Sequence, residues 1–266
     1  MTRRRFIADT FSPPTGHPTH ASLTGDQATH LARVLRAQPG QTFDLVANGF
    51  LHRAEITSVS ESEVAFLLHE ELVSDASLPL HLLLAVFKFD HMEWAIEKAT
   101  ELGVATITPI LARRTEKHLT LAAHKRAERW RRIALEAAKQ SRRSDIPAIA
   151  DPITLKLALT QETSPTRILL SETEQATTLS AALEKAFQGS HPTTNDRVPH
   201  PSQPHRHGPD VDRQTALAIG PEGGWTPEEM ALFTQHQWQH VTLGPRILRA
   251  ETAAIAAIAI ASTHLN

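Results

Sequence analysis

The segment Ile219-Gly220-Pro221-Glu222-Gly223-Gly224 and the later Leu243-Gly244-Pro245-Arg246-Ile247-Leu248-Arg249-Ala250-Glu251-Thr252 combine the residues of a binding turn with charged groups that could act on a ligand. Glycine lets a ligand approach the backbone closely, and proline stiffens the turn. Each segment begins where a short apolar run breaks, Ala216 to Ile219 or Val241 to Leu243, and a helical pattern follows each. Such turns fall at the carboxyl ends of strands, where open α/β sheets take their ligands. Arg249 and Glu251 bring a cation and a carboxylate to the second turn, and Glu222 is the acid inside the first. Little positive charge besides Arg246 and Arg249 is present there, which disfavours a phosphate-bearing cofactor. Neither a Rossmann Gly-x-Gly-x-x-Gly after a strand nor a P-loop occurs. An adenine gripped by backbone amides and by Ile219, Leu243, Ile247 and Leu248 suits these turns better.

A second constellation is basic. Net charge is -2, yet Lys125 to Arg143 holds eight basic residues against Glu128 and Glu136. Apolar Trp130, Ile133, Ala134, Ala137 and Ala138 recur at helical spacing, so the segment is an amphipathic helix with a basic outer face. Such a face attracts phosphates without reading sequence. Arg3, Arg4, Arg5, Arg113 and Arg114 add to the charge and favour RNA over a merely solvated surface.

The elements that must position these groups divide the chain in two. Residues 1–74 alternate like strands around one short helix, which starts at a Thr24-x-x-Gln27 capping box and ends before Pro39-Gly40. Asn48-Gly49 between two alternating runs is a hairpin signal. A small β-barrel is expected. Residues 75–266 switch to strand and helix in turn: Leu80 to Phe87, His91 to Leu102 closed by Gly103, then Val104 to Leu111. This βαβ unit predicts a parallel sheet, with further strands at Arg167 to Leu170, Ala216 to Ile219 and Val241 to Leu243. Thr226-Pro227-Glu228-Glu229 predicts a capped helix start just beyond the first glycine turn. Between 188 and 213 stand five prolines and four histidines with almost no apolar residue, so a mobile surface loop is expected. His191, His200, His205 and His207 lack the accompanying ligand pattern of a metal site, and no metal is expected.

The two glycine segments resemble the signature of the bacterial small-subunit rRNA uridine-N3 methyltransferases, the RsmE type of the SPOUT superfamily. The resemblance runs along nearly the whole chain, through His30-Leu31-Ala32-Arg33-Val34-Leu35-Arg36 with Gly40, Met92-Glu93-Trp94 to Leu102-Gly103, and Lys139-Gln140-Ser141 with Arg142 or Arg143. It implies a SPOUT-type trefoil-knotted parallel sheet at 75–266 and a PUA-like RNA-binding β-barrel at 1–74. It also implies S-adenosylmethionine as cofactor, held by Leu170, Ser171 and Glu172, by Ile219, Gly220, Pro221, Glu222, Gly223 and Gly224, and by Leu243, Gly244, Pro245, Ile247 and Leu248. The reaction it implies is methylation of N3 of one uridine near the decoding region of 16S rRNA. N3 must lose a proton, and the charge then spreads to O2 and O4. Arg249 is the first candidate to stabilise that charge. Glu251 or Glu172 could take the proton, although Glu251 could equally cap the last helix or pair with Arg249. Arg3, Arg4, Arg5, Arg36, Lys88, Arg113, Arg129, Arg132, Gln140 and Arg142 are expected to face RNA. Two positions depart from the family: His91 stands for its usual basic residue before Met-Glu, and Phe89 for a usually small one.

A SPOUT enzyme acting on another RNA such as tRNA, or a non-catalytic ribosome-assembly protein, would be the alternatives. The second leaves Arg249 and the intact glycine turn without a purpose. The chain has no cysteine, and its basic start is followed by no apolar signal core, so a cytoplasmic location is expected. Its longest apolar run, Ala253 to Ala261, is too short to span a bilayer. That run reads as a helix apolar on nearly every face, which predicts a homodimer covering it.

Overall fold

The structure, a computed structural model, describes residues 5–13, 19–72, 77–188 and 213–265. Arg3, Arg4 and almost all of the proline- and histidine-rich segment therefore lie outside the described residues. Contacts divide the chain into two compact units, one of Met1–Ala76 with Ala138–Ile146, the other of Ser77–Ala137 with Pro147–Asn266.

The first unit is a six-stranded sheet of β1 (Arg5–Ile7), β2 (Thr10–Ser12), β3 (His20–Thr24), β4 (Thr42–Ala47), β5 (Phe50–Val59) and β6 (Glu63–Glu71), in the order β1-β4-β5-β6-β3-β2. Its two edges are consecutive in sequence. Ala8 donates to Val46 on one side, and Asp9 to Ser22 on the other, so the Arg5–Ser12 stretch links both edges and the sheet curls on itself. That leaves little open edge for unwanted pairing. Asn48 and Gly49 both adopt positive φ, 52° and 77°, in the two-residue turn between β4 and β5. This is the conformation a right-twisted hairpin requires, as the dipeptide predicted.

The short helix differs from expectation. Helix α1 (Gly25–Thr29) continues through His30–Val34 as a wider turn, with Leu35 N–H bonding to His30 C=O five residues back. Thr24 makes no side-chain cap. Its N–H and hydroxyl instead donate to the Asp9 carboxylate, and Gln27 Nε2 reaches Ile7 C=O. The competitor for the cap is the β1–β2 linker, a tertiary partner that local spacing does not reveal.

The second unit contains β7 (Leu78–Ala85), α2 (Phe89–Glu101), β8 (Val104–Leu111), most of α3 (Lys117–Ser141), β9 (Ala148–Ile149), β10 (Ile153–Thr154), α4 (Leu155–Gln161), β11 (Thr166–Leu170), α5 (Leu179–Phe187), β12 (Thr215–Ile219), α6 (Pro227–Gln235), β13 (Gln239–Val241) and α7 (Ala250–Leu265). Strand order is β10-β8-β7-β12-β11-β13 with β9 beside β8, and every pairing is parallel. From β7 the chain moves outward to β8; it later returns to the other side of β7. A switch point therefore lies between β7 and β12, where such sheets open a crevice at their carboxyl ends.

Side chains alternate across this sheet. Leu80, Leu82 and Leu84 of β7, with Leu217 and Ile219 of β12, pack with Met92, Ile96, Trp130, Leu183 and Ile258 from the helices on one face. Leu83, Ala216 and Ala218 face the other way, toward Leu159 of α4 and the aromatic trio Trp225, Phe233 and Trp238. The small alanines of β12 leave room for those rings, whose centroids lie 5.0 and 5.3 Å apart in edge contacts. Alanine in a strand is poor by propensity, and here it is chosen by the bulk it must accommodate.

Candidate functional site

Five strands of the second unit deliver residues to one cavity of about 930 Å³. Lys88 and His91 come from the end of β7 and the start of α2, Arg114 from beyond β8, Leu170 to Gln175 from β11, Ile219 to Trp225 from β12, and Val241 to Ala250 from β13. All fourteen expected cofactor positions line it, together with Arg249 and Lys88.

Hydrogen bonds fix the first turn from both ends. Gly224 N–H donates to Pro221 C=O at 2.8 Å, and Gly224 takes φ +69°. Thr226 caps α6, and the buried Glu229 carboxylate accepts from Thr226 N–H at 2.9 Å and from Arg113 N–H at 2.8 Å. Glu229 thus closes the predicted capping box and also staples the β8 loop to α6; bonds to a charged acceptor are worth about 1.5–3 kcal/mol each. Arg114 Nη1 donates to Gly223 C=O at 2.7 Å. In the second turn Thr242 Oγ1 bonds both the N–H and the C=O of Gly244 at 3.1 Å, and Thr242 N–H reaches Thr177 C=O. Glu174, though on the cavity wall, is committed to its own loop. The N–H groups of Thr177 and Ala176 hold its carboxyl below the usual carboxylate range.

The glycines divide by purpose. A Cβ at Gly220 would stand 3.0 Å from Trp225 Nε1, so this glycine is required by the indole behind it. At Gly223 a Cβ would meet only the Arg114 stem, at 3.4 Å. Gly244 is different: at φ +116° it has nothing within 4 Å of where a Cβ would project, while it lines the cavity. Here the backbone itself is presented to open space.

Among the described residues, the side chains of Lys88, Glu172, Glu222, Arg246 and Arg249 line the cavity with no hydrogen bond or ion pair to the protein. Ile247 beside them is 84% exposed. Glu251 is placed otherwise. Its carboxylate is buried, does not line the cavity, and faces His91 Nδ1 at 3.3 Å in place of Arg249.

A model of the RNA methyltransferase domain matches residues 74–262, and one of the RNA methyltransferase PUA domain matches residues 23–68. The ribosomal RNA small subunit methyltransferase E of Synechocystis is 33% identical over 90% of this chain and 71% of its own length; that of Bacillus subtilis is 30% identical over 91% and 89%. The chain belongs to the ribosomal RNA small subunit methyltransferase E family. A crystal structure of the family's protein from Neisseria gonorrhoeae bound to S-adenosyl methionine is 27% identical, with a TM-score of 0.71 and 98% of each chain covered.

The expected RNA-facing residues of this family member spread over both units. In the first, Arg36 and Arg142 adopt positive φ, 50° and 59°; Gln140 is exposed, and Arg5 Nη1 donates to Arg142 C=O. In the second, Lys88, Arg113 and Arg132 are exposed. Arg129 is not a free phosphate ligand: Nε and Nη2 form a two-point bond to Glu93 at 2.7 and 2.8 Å. Arg126 joins the same carboxylate at 3.2 Å and stacks over Phe89 at 4.7 Å. Phe89, the departure from the family pattern, thus supports a guanidinium. Sequence reasoning missed Thr242 and His91 as parts of the site. Threonine before a glycine turn carried no signal by itself, and His91 finds its partner 160 positions away.

Proposed function

We propose that this chain transfers a methyl group to N3 of one uridine near the decoding region of 16S rRNA, in the cytoplasm, with S-adenosylmethionine as donor and as a homodimer. The observation that carries the reading is the convergence of both glycine turns and the unpaired Arg249 on one cavity. Family membership supplies the reaction class.

The residues present fit the donor. Gly244 offers bare backbone where a Cβ would fill the cavity, and Ile219, Leu243, Ile247 and Leu248 supply apolar surface for an adenine. Ser171, Glu172 and Glu222 add polar groups on the same wall. When bound, the donor supplies an electrophilic methyl group on a sulfonium. The chain itself must hold uracil against it, exclude water and manage charge. Arg249, fixed at the start of α7 by the bond from Ala253 N–H to its carbonyl, places a guanidinium where charge develops on O2 or O4. Of the two candidate bases, Glu172 lines the cavity and is free to accept the N3 proton; Glu251, which does not line it and faces His91, serves the turn.

In this reading residues 1–74 bind RNA as a PUA-like domain, and residues 75–266 carry the chemistry, with α7 threading a trefoil knot beneath the cofactor. The test is to treat small ribosomal subunits from a strain lacking the enzyme with purified protein and labelled S-adenosylmethionine, then map methylation base by base. One N3-methyluridine near the decoding region is expected. Methylation elsewhere, or of tRNA only, would remove the assignment.

A further inference from the structure

Within that proposed reaction, we propose that His91 is a positioning residue: its imidazole holds the buried Glu251 carboxylate and, through it, the turn that presents Arg249. The Glu251 side chain is 6% exposed, and its Oε2 is buried without a hydrogen-bond partner. An ionised carboxylate in that setting is costly unless a cation faces it. The facing group is His91, whose Nδ1, also buried without a hydrogen-bond partner, lies 3.3 Å from Oε1. Its own wall of the cavity leaves the ring 31% exposed, so the pair joins a solvent-reachable group to a buried one.

The lever is short. Arg249 C=O accepts the N–H of Ala253, which makes Arg249 part of the first turn of α7, and Glu251 lies in that same turn. A carboxylate there is favoured by the positive end of the helix, which fixes the direction of the turn once its charge is present. Loss of the opposing group leaves Glu251 to rotate toward water, which shifts the backbone that carries Arg249. Displacements of about 1 Å at reacting groups cost up to roughly a hundredfold in rate.

Two carboxylates approach the ring: Glu251 of α7 at Nδ1 and, from its own helix, Asp90 at Nε2, 3.8 Å away.

The experiment compares His91→Gln, His91→Arg and Glu251→Gln with the parent by single-turnover methylation of small subunits at saturating donor. Calorimetric affinity for S-adenosylmethionine and thermal melting are measured in parallel. His91→Gln and Glu251→Gln should each lose about ten- to a hundredfold in rate, with donor affinity and melting little changed. His91→Arg, which keeps a donor in front of Glu251, should restore most of that loss. A His91→Gln protein at the parental rate overturns the proposal. So does a His91→Arg protein as slow as His91→Gln, which would make the imidazole itself the reactive group. A parent that leaves N3 unmethylated would instead remove the functional reading on which this rests.

Discussion

Arg249 and Gly244 show how differently two residues of one turn serve the site. Arg249 stands unpaired on the cavity wall, so nothing in the protein is lost when its guanidinium is removed. Arg249→Ala should therefore keep its fold and its donor affinity while single-turnover methylation drops about a hundredfold or more, the usual cost of a lost electrostatic donor. A normal rate at saturating substrate would take Arg249 out of the chemistry. Gly244 works through its backbone. At φ +116° any side chain is strained, and strain in such regions costs of order 1–3 kcal/mol. Gly244→Ala should weaken donor binding about tenfold in calorimetry, whereas Gly223→Ala, whose Cβ meets only the Arg114 stem, should bind nearly as the parent does. Equal affinities for the two variants would show that the turn does not need its left-handed residue.

A third residue carries stability instead of chemistry. Burial alone would push the Glu162 carboxyl up, but His81 Nδ1 at 2.6 Å and Ser164 N–H at 2.8 Å outweigh it and hold it at about 2. His81 Nε2 in turn lies 2.8 Å from Thr108 Oγ1. The arrangement looks like a relay of acid, base and hydroxyl, yet none of its members lines the cavity, and it locks α4 to the sheet. Because the folded carboxyl titrates below its ordinary 4.5, its contribution is present above pH 4.5 and is lost as pH falls from there toward 2. Glu162→Gln should melt lower near neutrality, with the difference from the parent closing over that interval. A gap that stays constant down to pH 2 would mean that the ion pair contributes nothing.

At the scale of elements, much was legible because local rules and tertiary need agreed. Asn48-Gly49, Gly103 and Thr226-Pro227-Glu228-Glu229 each stand where a turn or cap demands them, and the strand from Val104 to Leu111 has the expected bounds. The misses are tertiary. Thr24 gave its cap to Asp9, and β13 runs Gln239–Val241, earlier than the apolar run implied, because its pairing with β11 covers residues 239–241. Helix α3 illustrates both outcomes: of the expected apolar positions Trp130, Ala134, Ala137 and Ala138 are buried and Ile133 is partly so, but a basic outer face did not reveal that Glu93 on α2 would engage Arg126 and Arg129. Among the charges left for phosphate on this stretch are Lys125 and Arg132, both exposed and, among the described residues, without a partner. Replacing both with glutamine should lower the slope of log affinity against log salt for RNA by about 1.4–1.8. Replacing Arg129 should instead loosen α2 against α3 and lower the melting temperature. An unchanged slope in the double variant would remove α3 from the RNA surface.

At the scale of the whole molecule, the last helix has more apolar surface than one protomer covers. On α7, Ala254, Ala257, Ile258 and Ala261 are buried against the sheet, with Leu265 at its end, while Ile255, Ala256 and Ile260 remain only partly covered. A helix apolar on nearly every face is stable in water only when its remaining face is also removed from it, and burial returns about 25 cal/mol for each Å² covered. The site makes the same demand, since Ile247 is 84% exposed on the cavity wall beside the unpaired Arg246 and Arg249. A second copy packed on α7 would shield the helix and could close that rim, and a twofold pairing needs only one self-complementary patch. Light scattering at micromolar concentration should therefore give twice the 29.3 kDa chain mass. Ile255→Asp with Ile260→Asp should give monomers that still melt cooperatively but methylate slowly at every donor concentration. A parent that is monomeric and fully active would refute the dimer, and a monomeric variant with parental turnover would show that the cavity is complete within one chain.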